Sequence, residues 1–152
     1  MQKIIFTSLL ILLFSKANAQ NRFANQEISI NGFRNPSIGA EYRFKQLSVH
    51  AGYYPTIFEK GETTSFIKSG ITAWFLPVGQ KENPSSFYAS ASYMRGLNRD
   101  YDGKNALGME AGFRWMIWQG LSLRIGATAV IAKGQGLKIN PAPGISYSFF
   151  IK

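Results

Sequence analysis

The stretch ALGMEAGFRWMIWQGLSLRIGATAV, residues 106–130, alternates with period two. Leu107, Met109, Ala111, Phe113 and Trp115 form one set, and Gly108, Glu110, Gly112, Arg114 and Met116 the other. After Gln119-Gly120 the pattern restarts, with Leu121, Leu123, Ile125, Ala127 and Ala129 set against Ser122, Arg124, Gly126 and Thr128. Side chains of a strand point alternately to opposite faces, so this is a hairpin with two unlike faces. With the turn at Trp118-Gln119-Gly120, Gly112 opposes Gly126 and Arg114 opposes Arg124 on the polar face. Facing arginines repel unless a carboxylate lies between them. Glu110 is the nearest candidate on that face, and Glu41 is the alternative.

The same alternation recurs outward from this hairpin, and helical spacing is not sustained anywhere after residue 20. Eight strands are predicted, roughly Glu27–Phe33, Ser37–Lys45, Leu47–Tyr54, Ser65–Leu76, Ser86–Gly96, Ala106–Ile117, Leu121–Ile131 and Gly144–Ile151. Asn35-Pro36, Pro55, Pro77 with Gly79, Asp102-Gly103 and Asn140-Pro141 supply turn chemistry between them. Short turns at Lys45-Gln46 and Gln119-Gly120 fall at one end. Longer connections, Pro55–Thr64, Leu97–Asn105 and Ala132–Pro143, fall at the other, and only Pro77–Ser85 breaks the asymmetry. A two-residue loop at Lys45-Gln46 pairs Phe44 with Leu47 and Tyr42 with Val49 outside, and Arg43 with Ser48 and Glu41 with His50 inside.

The start of the chain bears on compartment. Lys3, the apolar run Ile4–Phe14 and Ala17-Asn18-Ala19 before Gln20 describe a cleaved secretory signal peptide at residues 1–19. The run is too short for a spanning helix, which takes roughly 20 apolar residues. Residues 20–152 then form one domain. Removing Lys3 and Lys16 from the 17 basic residues leaves 15 against 8 acidic, a net charge of about +7. Export argues against a nucleic-acid partner, and anionic lipid headgroups suit that charge better. The sequence has no Cys, which excludes a lipid-anchored amino terminus, a disulfide framework and thiolate metal sites.

The polar face decides which side meets which solvent. It is dominated by Gly39, Gly52, Gly70, Gly108, Gly112, Gly126, Ser48, Ser90, Ser92, Ser122, Ser146 and Ser148. Small residues suit a narrow eight-stranded interior and make a poor solvated surface. Phe44, Tyr53, Trp74, Phe75, Tyr93, Trp115, Trp118, Tyr147 and Phe149 gather toward strand ends, as an interfacial girdle would. The expected fold is an all-β, eight-stranded antiparallel up-and-down transmembrane β-barrel, apolar outside and polar inside.

Segments such as NPSIGAEYRF (35–44), LSVHAGYYP (47–55) and SFIKSGITAWFLP (65–77) resemble small outer-membrane barrels of the OmpX and OmpW type and the short barrels of Bacteroidota. The resemblance covers residues 20–152 as a pattern without a diagnostic motif. It implies residence in the cell outer membrane, contact with lipid and lipopolysaccharide, and insertion by the barrel-assembly machinery. Such families usually end in an aromatic residue, whereas here SYSFFIK places Ile151 and Lys152 after Phe150. The implied role is structural or surface-interactive, carried by the loops of a plugged barrel.

Some outer-membrane barrels hydrolyse acyl chains of lipid A, and Ser48, His50 and Glu41 are the residues here that would serve such chemistry. Their inward parity keeps them from lipid, so an interior network of Glu41, Arg43, His50, Glu110, Arg114 and Arg124 is the preferred assignment. A soluble periplasmic lipocalin-like barrel is the third possibility. Asp100, Asp102 and Asn105 in RDYDGKN (99–105) lack the rest of a calcium loop, and no metal or cofactor is expected. Gly134-Gln135-Gly136 has no strand-to-helix context for a phosphate. Arg95, Arg99 and Lys104 fall at the long-loop end, where they are candidates for lipopolysaccharide phosphates.

Overall fold

The computed structural model describes residues 23–32, 38–59 and 61–151. Its strands are β1 (Gln26–Gly32), β2 (Ile38–Phe44), β3 (Leu47–Glu59), β4 (Glu62–Val78), β5 (Ser85–Gly96), β6 (Asn105–Met116), β7 (Leu121–Ala132), β8 (Lys138–Pro141) and β9 (Gly144–Ile151). No α-helix occurs among the described residues, and one 3-10 turn, Arg99–Tyr101, precedes β6. The expected signal peptide lies outside the described residues.

Each strand from β1 to β7 pairs antiparallel with the next. β9 pairs with both β7 and β1, so the sheet closes into a ring. β8 lies beside β7 in the same register as β9, from Val130 opposite Lys138 to Leu121 opposite Tyr147. The eighth stave of the wall is therefore a single course from Lys138 to Ile151, interrupted at Ala142-Pro143. Closure leaves no long open edge to template aggregation.

Both hairpin registers follow the sequence expectation. Gly112 opposes Gly126 and Arg114 opposes Arg124, and Phe44 opposes Leu47 while Glu41 opposes His50. The alternation also resolves as expected. Leu47, Val49, Met109 and Ile125 face outward, more than half exposed, while Ser48, His50, Glu110 and Arg124 face a filled interior. Lys45 takes positive φ in its two-residue turn, a strain that the continuous flanking ladders hold in place.

Two of the three long loops are shorter than expected, whereas the connection from Leu97 to Asn105 lies between β5 and β6 as expected. β3 and β4 run to Glu59 and from Glu62, so the supposed Pro55–Thr64 loop is almost entirely paired strand. Ala132–Pro143 likewise contains β8. The reason lies in where the prolines stand. The amide of Trp74 donates to Gln46 O, so even-numbered residues of β3 bond β4 and odd-numbered ones face β2. Ala142 and Ser148 donate to β7 and to Gly120, so odd-numbered residues of β8 and β9 face β1. Pro55, Pro141 and Pro143 thus turn their missing N–H groups away from β4 and β7, and those two ladders lose no donor to them. Proline is tolerated in a strand where no ladder partner awaits a donor.

Close backbone approach explains the facing glycines. A Cβ on Gly112 would stand 2.4 Å from Ile125 O and 2.8 Å from Gly126 Cα. Gly112→Ala is expected to cost about 1–3 kcal/mol by overpacking. Gly136→Ala, with open space around it, should cost no more than a few tenths. Urea unfolding in detergent micelles checks the pair, and equal effects would contradict the packing account.

Candidate functional site

Alternation within a closed ring forces every polar-face side chain of the eight staves into one narrow column. At the turn end Phe23, Trp74 and Tyr88 pack together, with Trp74 and Tyr88 ring centroids 5.4 Å apart. Trp74, expected in the outer girdle, is therefore an interior residue. It sits on the inward parity of β4 with Thr72 and Gly70, where it fills space left by small neighbours. The other strand-end aromatics of that girdle do face outward, and Phe75, Phe87 and Phe113 form a row with centroids 6.3 and 4.9 Å apart.

Above the aromatic base lie three guanidinium groups. Arg43, Arg114 and Arg124 have their guanidinium carbons 5.6, 4.4 and 5.0 Å from the Trp74 ring centroid. Stacking on an indole face attracts a cation and leaves its N–H edge available. Glu27 accepts from both Arg43 and Arg114, the latter at 2.7 Å. Glu41 accepts from Arg124 Nη2 at 2.7 Å and from Ser48 Oγ. Glu27 also accepts from Ser29 at 3.0 Å. All of these ionised groups are buried, where an unpaired charge is costly and a paired one tolerable.

Of the two carboxylates expected for the facing arginines, the alternative, Glu41, pairs with Arg124, and the nearer candidate, Glu110, is engaged with Lys68. Glu110 accepts from Lys68 Nζ at 3.0 Å and from Thr128 Oγ1 at 3.1 Å, nearer the loop end. The arginines take separate carboxylates from across the barrel, Glu27 for Arg114 and Glu41 for Arg124. Glu27 and Lys68 are charged interior residues that the sequence reading did not assign to the network, and Trp74 is one that it placed in the outer girdle. The signal was present in their parity, since Glu27, Ser29 and Asn31 alternate with Ile28 and Ile30.

His50 lies between these ion pairs. Its Nδ1 is 3.1 Å from Thr72 Oγ1 and its Nε2 is 3.0 Å from Ser92 Oγ. Ser48 instead accepts from Trp74 Nε1 at 2.8 Å and donates to Glu41. Ser48, His50 and Glu41 are thus neighbours without forming a serine–histidine–acid relay, because both imidazole nitrogens are engaged elsewhere. A nucleophile needs its base on its own hydroxyl. Toward the loop end Tyr54, Phe66, Met94, Tyr101, Ala106, Val130 and Ala132 form an apolar plug.

Arg95, Arg99 and Lys104 share that end but have different partners. Arg95 Nη1 donates to Asn105 Oδ1 at 2.6 Å, which also accepts from Tyr93 OH at 2.8 Å. Arg99 pairs with Glu62 at 3.6 Å, both half exposed. The backbone N–H of Lys104 donates to Tyr101 O at 2.9 Å. Arg99→Gln should change stability by less than about 1 kcal/mol, as for an exposed pair; a larger loss on urea unfolding would make this loop contact part of the fold. Asn105 is committed to Tyr93 and Arg95, and no group of three or more His, Asp or Glu able to hold a metal occurs among the described residues. No family model, curated protein or solved structure matches the chain.

Proposed function

We propose that this chain is a small outer-membrane barrel, non-enzymatic, with a plugged polar interior and a structural or surface-interaction role at its loop end. The observation that carries the reading is the inversion of polarity: buried ion pairs inside a ring whose outer wall is apolar. Soluble monomers rarely expose apolar patches beyond a few hundred Å². The outward course Leu47, Val49, Ala51, Tyr53, Pro55 and Ile57 on β3 is uncharged throughout. At about 3.3 Å per residue and a tilt of about 40°, it gives about 25 Å along the barrel axis, the height of an outer-membrane apolar band. An open trough of about 610 Å³ on the outer wall, lined by Phe113, Trp115, Leu123, Ile125, Pro143 and Ile145, suits an acyl chain.

In this reading residues 1–19 direct export and are removed, the short turns face the periplasm, and the barrel-assembly machinery inserts the chain. Arg95, Arg99 and Lys104 are set to meet lipopolysaccharide phosphates. The test is expression in a Gram-negative host, followed by membrane fractionation and a heat-modifiability gel. A heat-modifiable band in the outer membrane is expected. A soluble periplasmic protein would return the lipocalin-like reading. Lipid A with shortened acylation, read by mass spectrometry and lost in His50→Ala, would return the acyl-hydrolase reading.

A further inference from the structure

The column of ion pairs does not balance at its turn end. Arg43 and Arg114 are both bonded to one carboxylate, Glu27, while Arg124 has Glu41 to itself. Among the described residues, three guanidinium charges thus pair with two carboxylates around one indole, leaving one positive charge in excess. The side chains of Arg43 and Arg114 are 2% and 1% exposed. Their hydrogen-bonding capacity is also left over: among the described residues, Nε and Nη1 of Arg43 and Nε and Nη2 of Arg114 have no hydrogen-bond partner, and nor has Nε of the neighbouring Arg124. Guanidinium cannot shed its proton at any ordinary pH, and buried N–H groups without acceptors are costly. Both deficits, of charge and of acceptors, are met by the same thing, a small anion.

We propose that the barrel interior binds one small monovalent anion, of chloride's size, between Arg43 and Arg114 beside Trp74. Guanidinium edges supply the donors, and the indole face holds the cations from behind. Phe23, 4.9 Å from the Arg43 guanidinium carbon, covers Arg43 from the turn end. The charge arithmetic gives the variants opposite signs. Arg114→Gln leaves Arg43 and Glu27 as a balanced pair and removes the demand for an anion. Glu27→Gln raises the excess by one and strengthens it.

The test is urea unfolding in non-ionic micelles, comparing chloride with gluconate, which is too large for the site, at matched ionic strength. Above its dissociation constant, a tenfold rise in chloride should raise the folding equilibrium constant of the wild type about tenfold, and gluconate should not. Arg114→Gln should lose this dependence, and Glu27→Gln should steepen the gain at low chloride. A second reading uses the fact that the chain has three Trp. In Trp115→Phe/Trp118→Phe, Trp74 is the sole indole, and iodide should quench it saturably and be displaced by chloride. Coincident chloride and gluconate curves in the wild type, an undiminished chloride effect in Arg114→Gln, or strictly linear quenching would each overturn the proposal and leave water as the only acceptor.

Discussion

Glu27→Gln is expected to cost the barrel about 3–5 kcal/mol in chloride-free medium, the scale for breaking a buried ion pair. The carboxylate is 1% exposed and accepts from two guanidinium groups at once. Gln keeps the shape and one acceptor oxygen but removes the charge. Two buried cations then share one neutral amide, and neither can deprotonate. Glu62→Gln, at the half-exposed pair with Arg99, is the matched control and should cost under about 1 kcal/mol. Urea unfolding in micelles measures both. A loss of under about 1 kcal/mol at Glu27 would mean that the interior ion pairs are solvated, and the plugged column would have to be abandoned.

Met109→Arg tests the outside of the same wall. Met109 stands mid-strand on β6, 53% exposed, between Leu107 and Ala111 on the outward face. Arginine on the lipid face at mid-bilayer costs about 2–4 kcal/mol, falling to about 0–1 near the interface. Met109→Arg should therefore lower folding into lipid vesicles by that amount. Trp118→Arg, beyond the end of β6 and before β7, should do much less. In water the order changes, because an arginine at an exposed apolar position is close to neutral for stability. A Met109→Arg barrel that folds into vesicles as well as the wild type would remove the membrane reading while leaving the fold intact.

How much of this was legible without coordinates varies by residue. Alternation gave the two faces, because a period-two pattern allows only one assignment of sides once the interior is narrow. It also gave both tight-hairpin registers, since a turn of known length leaves no freedom in which residues oppose. Pro55 misled, being a turn signal locally and yet lying inside β3. Its tolerance depends on whether a neighbouring strand needs its N–H, which is a property of the ring. Trp74 misled for a related reason: interfacial and interior aromatics have the same local sequence, and only parity separates them.

By itself the sequence determined the all-β class, the two faces of each strand with the exception of Trp74, and the hairpin pairings Arg114–Arg124 and Glu41–His50. These follow from local geometry, in which each residue's side is set by its neighbours along one or two strands. Only the tertiary structure decided which carboxylate meets which arginine. Glu27 reaches Arg114 and Glu41 reaches Arg124 across the barrel, between staves that are not hydrogen-bonded to each other. Such contacts depend on ring closure and on the stagger of every strand between them, and no local pattern encodes that sum.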